Sequence, residues 1–364
     1  MTKIELTLTP DYIPNWTLVD AVRELFQNAL DQQTQSPGNT ASWTYKPETK
    51  TLQIRNKQSV LPLKSLLLGA STKAGDTTTV GQFGEGYKLA ALVLLRLGKT
   101  LTIYNYSARE VWQPKFVNSR RFGTEILTFF IEKSVWRTPP HDDLIFEVGN
   151  LDVDEYYAQI VPSNLWLQEY LPMHKTEYGE ILHETYKGKV FVNGLFVCMY
   201  PSYKYGYNFN AGQLKLDRDR KLASDFDLKW LASRMWAGQP DALDMIVDGV
   251  ADVAYLAEYN NYFCASYLRD DAYERFAQVC GPHAVPVSTQ AEADAVPAGY
   301  SAIFVNSAYQ KLIVTSRLYT APPVDSGPTL VERLAEWLEV YRDMLPERGI
   351  HSLELIIKEM GTAN

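Results

Sequence analysis

The sequence predicts an α+β protein in which helices lie on one face of a mixed sheet. Three observations carry that prediction. Residues 18–33 place Val19, Val22, Leu25, Phe26, Ala29 and Leu30 at helical spacing on one face. Residues 41–45 and 51–55 alternate on either side of the turn Pro47-Glu48-Thr49-Lys50, the pattern of a hairpin. Four further strand-like runs, at 100–105, 110–117, 125–131 and 144–148, follow a second, apolar helix at 87–97.

The remaining elements follow in order. Ser36, Pro37, Gly38 and Asn39 stop the first helix. A short helix at 63–68 leads into Gly69 and a Thr-, Gly- and Ser-rich connection through Val80. Gly81-Gln82-Phe83-Gly84-Glu85-Gly86 then opens the apolar helix. A second unit is expected from Asp152, clearest in a single strand over 189–197. Residues 223–277 read as mostly helical and Pro282 to Val287 as a loop. Strands are expected near 302–306 and 311–315, and an amphipathic helix over 329–345.

Composition narrows the function classes. With 364 residues, and about 150 per domain, two to three domains are expected. Hydrophobic residues at 46% and charged residues at 21% exclude wholesale disorder. Thirty-five Lys and Arg against 43 Asp and Glu give −8, so bulk charge does not indicate a nucleic-acid partner. The longest apolar run, Leu89 to Leu95, ends at Arg96, far short of the ~20 residues of a membrane span. Glu5 and Asp11 near the start leave no signal-peptide pattern. Three widely spaced cysteines argue for a reducing compartment without a disulfide frame. The expectation is a soluble cytoplasmic protein with no membrane partner.

Two motifs carry chemistry. In Glu24-Leu-Phe-Gln-Asn28-Ala-Leu-Asp31, spacings of four and three align Glu24, Asn28 and Asp31 on one helix stripe. Taken alone, such a stripe also describes a solvated helix face. A carboxylate one turn from an amide makes chemical sense if the amide oxygen binds a hard cation while the carboxylate handles a water. The second motif is Gly81-x-x-Gly84-x-Gly86, followed by Tyr87, Lys88 and the apolar helix. Its glycines admit a ligand close to the backbone, and the helix start supplies unpaired N–H groups, a phosphate cradle. A glycine-rich hinge fits that motif equally well.

Together the two motifs, over 21–98, resemble the GHKL superfamily, the Bergerat-fold ATPases of DNA gyrase B, MutL, heat-shock chaperones and histidine kinases. Gly69-Ala-Ser71-Thr72-Lys73 resembles that family's lid and Gly81 to Lys88 its glycine-rich motif. The resemblance implies a Bergerat-type α/β sandwich binding ATP with magnesium. Asn28 would ligate the metal and Glu24 would orient and deprotonate the attacking water. Asp31, Ser71, Thr72, Lys73, Gly81, Gln82, Phe83, Gly84, Glu85, Gly86, Tyr87 and Lys88 would line the nucleotide site. The family's Asp-x-Gly-x-Gly motif is replaced by Asn56-Lys57-Gln58-Ser59-Val60, so Asn56 would accept from adenine without a charge. Asn210-Ala-Gly-Gln213-Leu-Lys215 resembles a transducer loop whose lysine, here Lys215, reaches the terminal phosphate; an exposed charge ladder is the other reading. The expected domains are an ATP-binding domain at 1–151, a transducer-like domain at 152–222 and a helical and α/β extension at 223–364. The implied activity is slow ATP hydrolysis driving a conformational switch, with a homodimer formed on ATP binding and an unknown protein client. The alternative is a nucleotide-binding regulatory protein without turnover.

Three features are left as structural. The alternating Tyr203, Tyr205, Tyr207 and Phe209 read as a packed sheet face rather than a base-stacking platform. Cys280-Gly-Pro-His283 lacks zinc spacing. Trp337, Leu338, Tyr341 and Leu345 read as core.

Overall fold

A computed structural model describes residues 1–67, 86–134, 141–216, 224–259, 266–323 and 330–362. The chain divides into two compact units, Met1–Phe263 and Cys264–Asn364.

The first unit holds two sheets. Seven strands, β1 (Thr2–Glu5), β2 (Ala41–Lys46), β3 (Thr51–Asn56), β4 (Thr100–Asn105), β5 (Glu110–Ser119), β6 (Thr124–Lys133) and β7 (Leu144–Gly149), form one sheet in the order β1-β6-β5-β4-β7-β3-β2. Every neighbouring pair is antiparallel, which corrects the mixed sheet expected from sequence. The physical reason is a strand insertion. The crossover from β3 to β4 leaves those strands running the same way, but β7 slots between them and pairs antiparallel with both. The short β1, with Lys3 and Glu5, blunts one edge.

Helices α1 (Leu18–Gln35) and α2 (Gly86–Arg96) pack on the sheet face that carries Leu52, Ile54, Ile103, Trp112, Phe129 and Val148, all fully buried. The apolar α2 is buried along most of its length, from Tyr87 to Leu94. A helix that is apolar all round needs such a position. Hairpin β2–β3, α1, α2 and strands β4 to β7 thus lie where periodicity places them. The helix expected at 63–68 is a single 3-10 turn, Leu63–Leu66.

The second sheet contains β8 (Pro172–Thr176), β9 (Gly179–Leu182), β10 (Lys189–Val192), β11 (Leu195–Met199) and β12 (Gly206–Phe209), in the order β11-β10-β12-β9-β8. The strand expected over 189–197 is in fact the hairpin β10–β11. Asn193 and Gly194 turn it with φ of 49° and 77°, the two positive values that a tight hairpin turn requires. A Cβ on Gly194 would lie 2.6 Å from the Trp166 indole nitrogen, so glycine is also demanded sterically. Tyr203, Tyr205, Tyr207 and Phe209 are all buried, as the packed-face reading requires. Helix α3 (Asp225–Trp236) adds Trp236, whose Nε1 donates to the Tyr207 hydroxyl at 2.8 Å.

The second unit contains α4 (Ser266–Cys280), the parallel pair β13 (Ala284–Val287) and β14 (Ser301–Phe304), α5 (Ser307–Val314), α6 (Leu330–Tyr341) and α7 (Glu347–Thr362). Two expectations are corrected. Residues 284–287 are a strand rather than a loop, with Pro286 tolerated in a two-stranded pair. Residues 311–315 lie in and just after helix α5, started by the Asn306 side chain accepting from Tyr309 N at 2.9 Å. Of the four residues read as core in the amphipathic helix expected over 329–345, Leu338 is buried, Leu345 lies half-buried just beyond α6, and Trp337 and Tyr341 are exposed. No described helix is long and apolar enough to cross a membrane.

Candidate functional site

The site begins with how α1 is held. Thr17 caps it, accepting from Asp20 N while the Asp20 carboxylate accepts from Thr17 N at 2.8 Å, a reciprocal capping box. Arg96, at the end of α2, donates to the carbonyls of Pro10, Tyr12, Ile13 and Trp16 at 2.9–3.2 Å. That clamp fixes the segment entering α1 against α2 and so sets the helical phase of the stripe. The stripe is not a solvated face. Glu24 is 3% exposed and Asp31 2%, with Asn28 half-buried between them. Burying carboxylates is costly unless they are paired and hydrogen-bonded.

The start of α2 meets this stripe directly. A Cβ built on Gly86 would lie 2.5 Å from Glu24 Oε2 and 3.3 Å from Asn28 Nδ2. With glycine there, the first turn of α2 lies directly against the two polar side chains, and any larger residue would have to push their ends aside. Asn28 Nδ2 is buried and makes no hydrogen bond, the state expected of a polar group whose partner arrives with a ligand. The structure thus brings together Glu24, Asn28 and Gly86.

Asn56 sits at the end of β3, 4% exposed. Its Nδ2 donates to the carbonyls of Ala29 at 2.9 Å and Asn39 at 3.0 Å. Both amide protons are engaged, which leaves Oδ1 as an acceptor. Tyr87 packs against Phe129 and Phe146, and its hydroxyl meets Ser65 Oγ at 2.8 Å. Burial pushes the Tyr87 phenol well above its usual range, partly offset by the Ser65 hydroxyl, so it stays neutral. Lys88 is fully buried, and its ammonium donates to the carbonyls of Ser65 at 3.0 Å and Leu67 at 2.7 Å. Lys215 is exposed beyond β12. Ser71, Thr72, Lys73, Gly81, Gln82, Phe83, Gly84 and Glu85 lie outside the described residues.

Sequence reasoning missed Arg23, which is 9% exposed and lies between the capping box and Glu24. Its Nη1 is 3.2 Å from Asp20 Oδ1 and its Nη2 is 3.9 Å from Glu24 Oε1. The available signal was the three-residue spacing from Asp20 to Arg23. It also missed the Arg96 clamp, because carbonyl partners leave no trace in a side-chain pattern.

The chemistry of these groups fits a magnesium-bound polyphosphate. Magnesium is usually held by one or two protein oxygens with the remainder from phosphate and water. Asn28 can present one such oxygen, since its amide orientation is set by whichever partner binds. The N-terminus of α2 offers N–H groups and a positive dipole end to an anion. Among the described residues no three His, Cys, Asp or Glu side chains converge to hold a metal by themselves.

No protein-family model matches the chain. An uncharacterised protein of Mycoplasma pneumoniae is 22% identical over 221 residues, covering 58% of this chain and 87% of that protein. Among solved structures, the ATPase and transducer domains of DNA topoisomerase II from Balamuthia mandrillaris align at a TM-score of 0.32 and 14% identity, over 49% of this chain and 60% of that one. The ATPase region of Saccharomyces cerevisiae topoisomerase II aligns at 0.30 and 12%, over 49% and 62%. The chain spans about three-fifths of the length of these structures. Overlaps this loose leave the fold resting on the strand pairings and helix packing described above.

Proposed function

We propose that the chain binds magnesium and an adenine nucleotide between α1 and the first turn of α2, and hydrolyses ATP slowly as a conformational switch. The observation that carries this reading is the packing of Gly86 against Glu24 and the unpartnered amide of Asn28. In it, Asn28 holds the metal and the α2 N-terminus, with the glycine-rich sequence that precedes it, takes the phosphates. The bound metal supplies charge neutralisation on the phosphate oxygens. Glu24 orients one water and accepts its proton; reliance on one carboxylate positioning one water makes slow turnover the expectation. Asn56 accepts from the adenine amine through Oδ1, its amide protons being held by Ala29 and Asn39. Lys215 reaches the terminal phosphate from the 152–222 part, so that closure or dimerisation follows the triphosphate.

The test is thermal unfolding with and without magnesium–ATP. A ligand at a hundredfold its dissociation constant should stabilise the fold by roughly 2.7 kcal/mol. No shift at millimolar ATP would sink the reading. Glu24→Ala should then abolish phosphate release while nucleotide still binds. A second reading, binding without turnover, draws on the neutral Asn56 in place of a charged acceptor; it holds if wild-type protein binds ATP and releases no phosphate.

A further inference from the structure

A cavity of about 410 Å³ lies between the start of α1 and the β10–β11 hairpin, lined by Thr17, Asp20 and Arg23 on one side and Lys189, Phe196 and Met199 on the other. Its wall carries two cations, Arg23 and Lys189, against one carboxylate, Asp20. That carboxylate is already committed. Its Oδ2 accepts from both the amide and the hydroxyl of Thr17 at 2.8 Å, so it cannot turn to serve the rest of the guanidinium. Arg23 is consequently buried with Nε and Nη2 making no hydrogen bond. A buried cation with unused donors is costly to keep, and it marks a place where an oxyanion is gained. Lys189 approaches the carbonyl of Pro162 at 3.5 Å, a contact long enough to give way to a stronger acceptor.

We propose that this cavity binds a small molecule bearing a carboxylate or phosphate group, with Arg23 and Lys189 on the anion and Phe196 and Met199 on its apolar part. A planar guanidinium takes an oxyanion through two parallel N–H groups; the pair not held by Asp20 is Nε and Nη2, both shielded from solvent in the folded chain, so binding turns that edge of the guanidinium toward the cavity. Nη1 remains with Asp20. Because Nη2 is also 3.9 Å from Glu24 Oε1, the anion competes with that carboxylate for it and loosens one hold on Glu24, whose other oxygen already lies against the start of α2. This second half rests on the reading of Glu24 as the water-orienting base; the binding half does not.

The experiment titrates the full chain with inorganic phosphate and, separately, with citrate at constant ionic strength, under saturating magnesium–ADP so that the nucleotide site is filled. Saturable heat is expected; phosphate alone or citrate alone identifies the anionic group. Lys189→Ala should weaken binding about tenfold, the loss expected when a charged partner is removed. Met199→Trp, at a half-exposed position that tolerates a larger ring, should weaken it similarly by filling the mouth. Both variants should keep magnesium–ADP affinity. No saturable heat from either anion, or binding undiminished in both variants, overturns the site. If magnesium–ADP itself fails to bind, the proposed function fails, and the same two-variant comparison on nucleotide-free protein still decides the cavity. Bound anion should raise phosphate release in the wild type and not in Met199→Trp; unchanged turnover with anion bound overturns the link to Glu24.

Discussion

Two places in the first unit bury a carboxylate beneath helices, and they do so in opposite ways. Asp252, 1% exposed, accepts from Lys204 N at 2.8 Å, Tyr205 N at 3.1 Å and the Tyr207 hydroxyl at 2.8 Å, and Tyr207 in turn accepts from Trp236 Nε1. That network ties the approach to β12 to α3 and leaves none of these groups wanting a partner. On α1, Glu24 is buried almost as deeply, but its neighbour Asn28 has an idle amide nitrogen and its other neighbour, Gly86, brings bare backbone against the carboxylate. A closed network rigidifies. An open one is tolerated only where something else completes it. The comparison teaches that burial of charge does not itself mark a site; incompleteness does.

The largest expected effect tests the closed network. Asp252→Ala leaves two backbone N–H groups and a phenol without an acceptor, and should cost about 4 kcal/mol in urea unfolding. A loss under about 1 kcal/mol would mean that water reaches the cluster and that the contrast with α1 is false. The pH dependence sharpens this. Desolvation raises the Asp252 carboxyl above its ordinary value, against the pull of its three donors. The folded state therefore takes up this proton before the unfolded chain does. Its contribution is fully present below the ordinary carboxylate range and is lost as pH rises through the raised value. Asp252→Asn should remove that component, so wild type gains stability relative to the variant on acidification. Parallel curves would rule out the raised value.

Next comes Asn56→Asp. A more strongly charged acceptor for adenine is the naive expectation from the sequence alone. The structure reverses it for stability, because a carboxylate would face the Ala29 and Asn39 carbonyls at 2.9 and 3.0 Å with no protons to give. The variant should lose about 2 kcal/mol at neutral pH. Some of that should return on acidification as the new carboxyl is protonated. Unchanged stability would mean that the amide is turned the other way.

Much of this was legible in the sequence, for identifiable reasons. Strand β4 and the β2–β3 hairpin alternate cleanly because one sheet face is packed and the other more open. The spacing of Glu24, Asn28 and Asp31 was legible too, but their burial was not, since a polar stripe ordinarily lies in water. The β10–β11 hairpin hid inside a continuous apolar run, although Asn193-Gly194 was its signal. The end of helix α5 reads as a strand because Leu312, Ile313 and Val314 are apolar and largely branched, whereas the Asn306 cap is the sequence signal of a helix start. Partners supplied by backbone carbonyls, as for Arg96 and Lys88, cannot be read from side-chain order at all.

Gly86→Ala probes the open site at intermediate size. The added methyl needs the 2.5 Å gap to Glu24 Oε2 to widen, and a carboxylate end can give way at a cost of about 1 kcal/mol. Nucleotide affinity should fall far more than stability, because the displaced groups are the ones that receive the ligand. Equal affinity in the variant would detach the α2 N-terminus from the site.

The smallest effect on stability is the most discriminating. Asn28→Ala removes an amide whose Nδ2 makes no hydrogen bond in the folded chain, so no protein hydrogen bond through that atom is lost. Alanine is also the better helix former by up to about 0.7 kcal/mol, which offsets the few contacts of the lost side chain. Unfolding free energy should therefore stay within about 0.5 kcal/mol of wild type, or rise slightly. Magnesium-dependent nucleotide stabilisation should disappear in the same sample. A strongly destabilised variant would place Asn28 with Asp252, as a structural polar group whose partner is already in the fold. An intact fold that has lost only its response to magnesium and nucleotide would show that this amide is idle because its partner is the ligand.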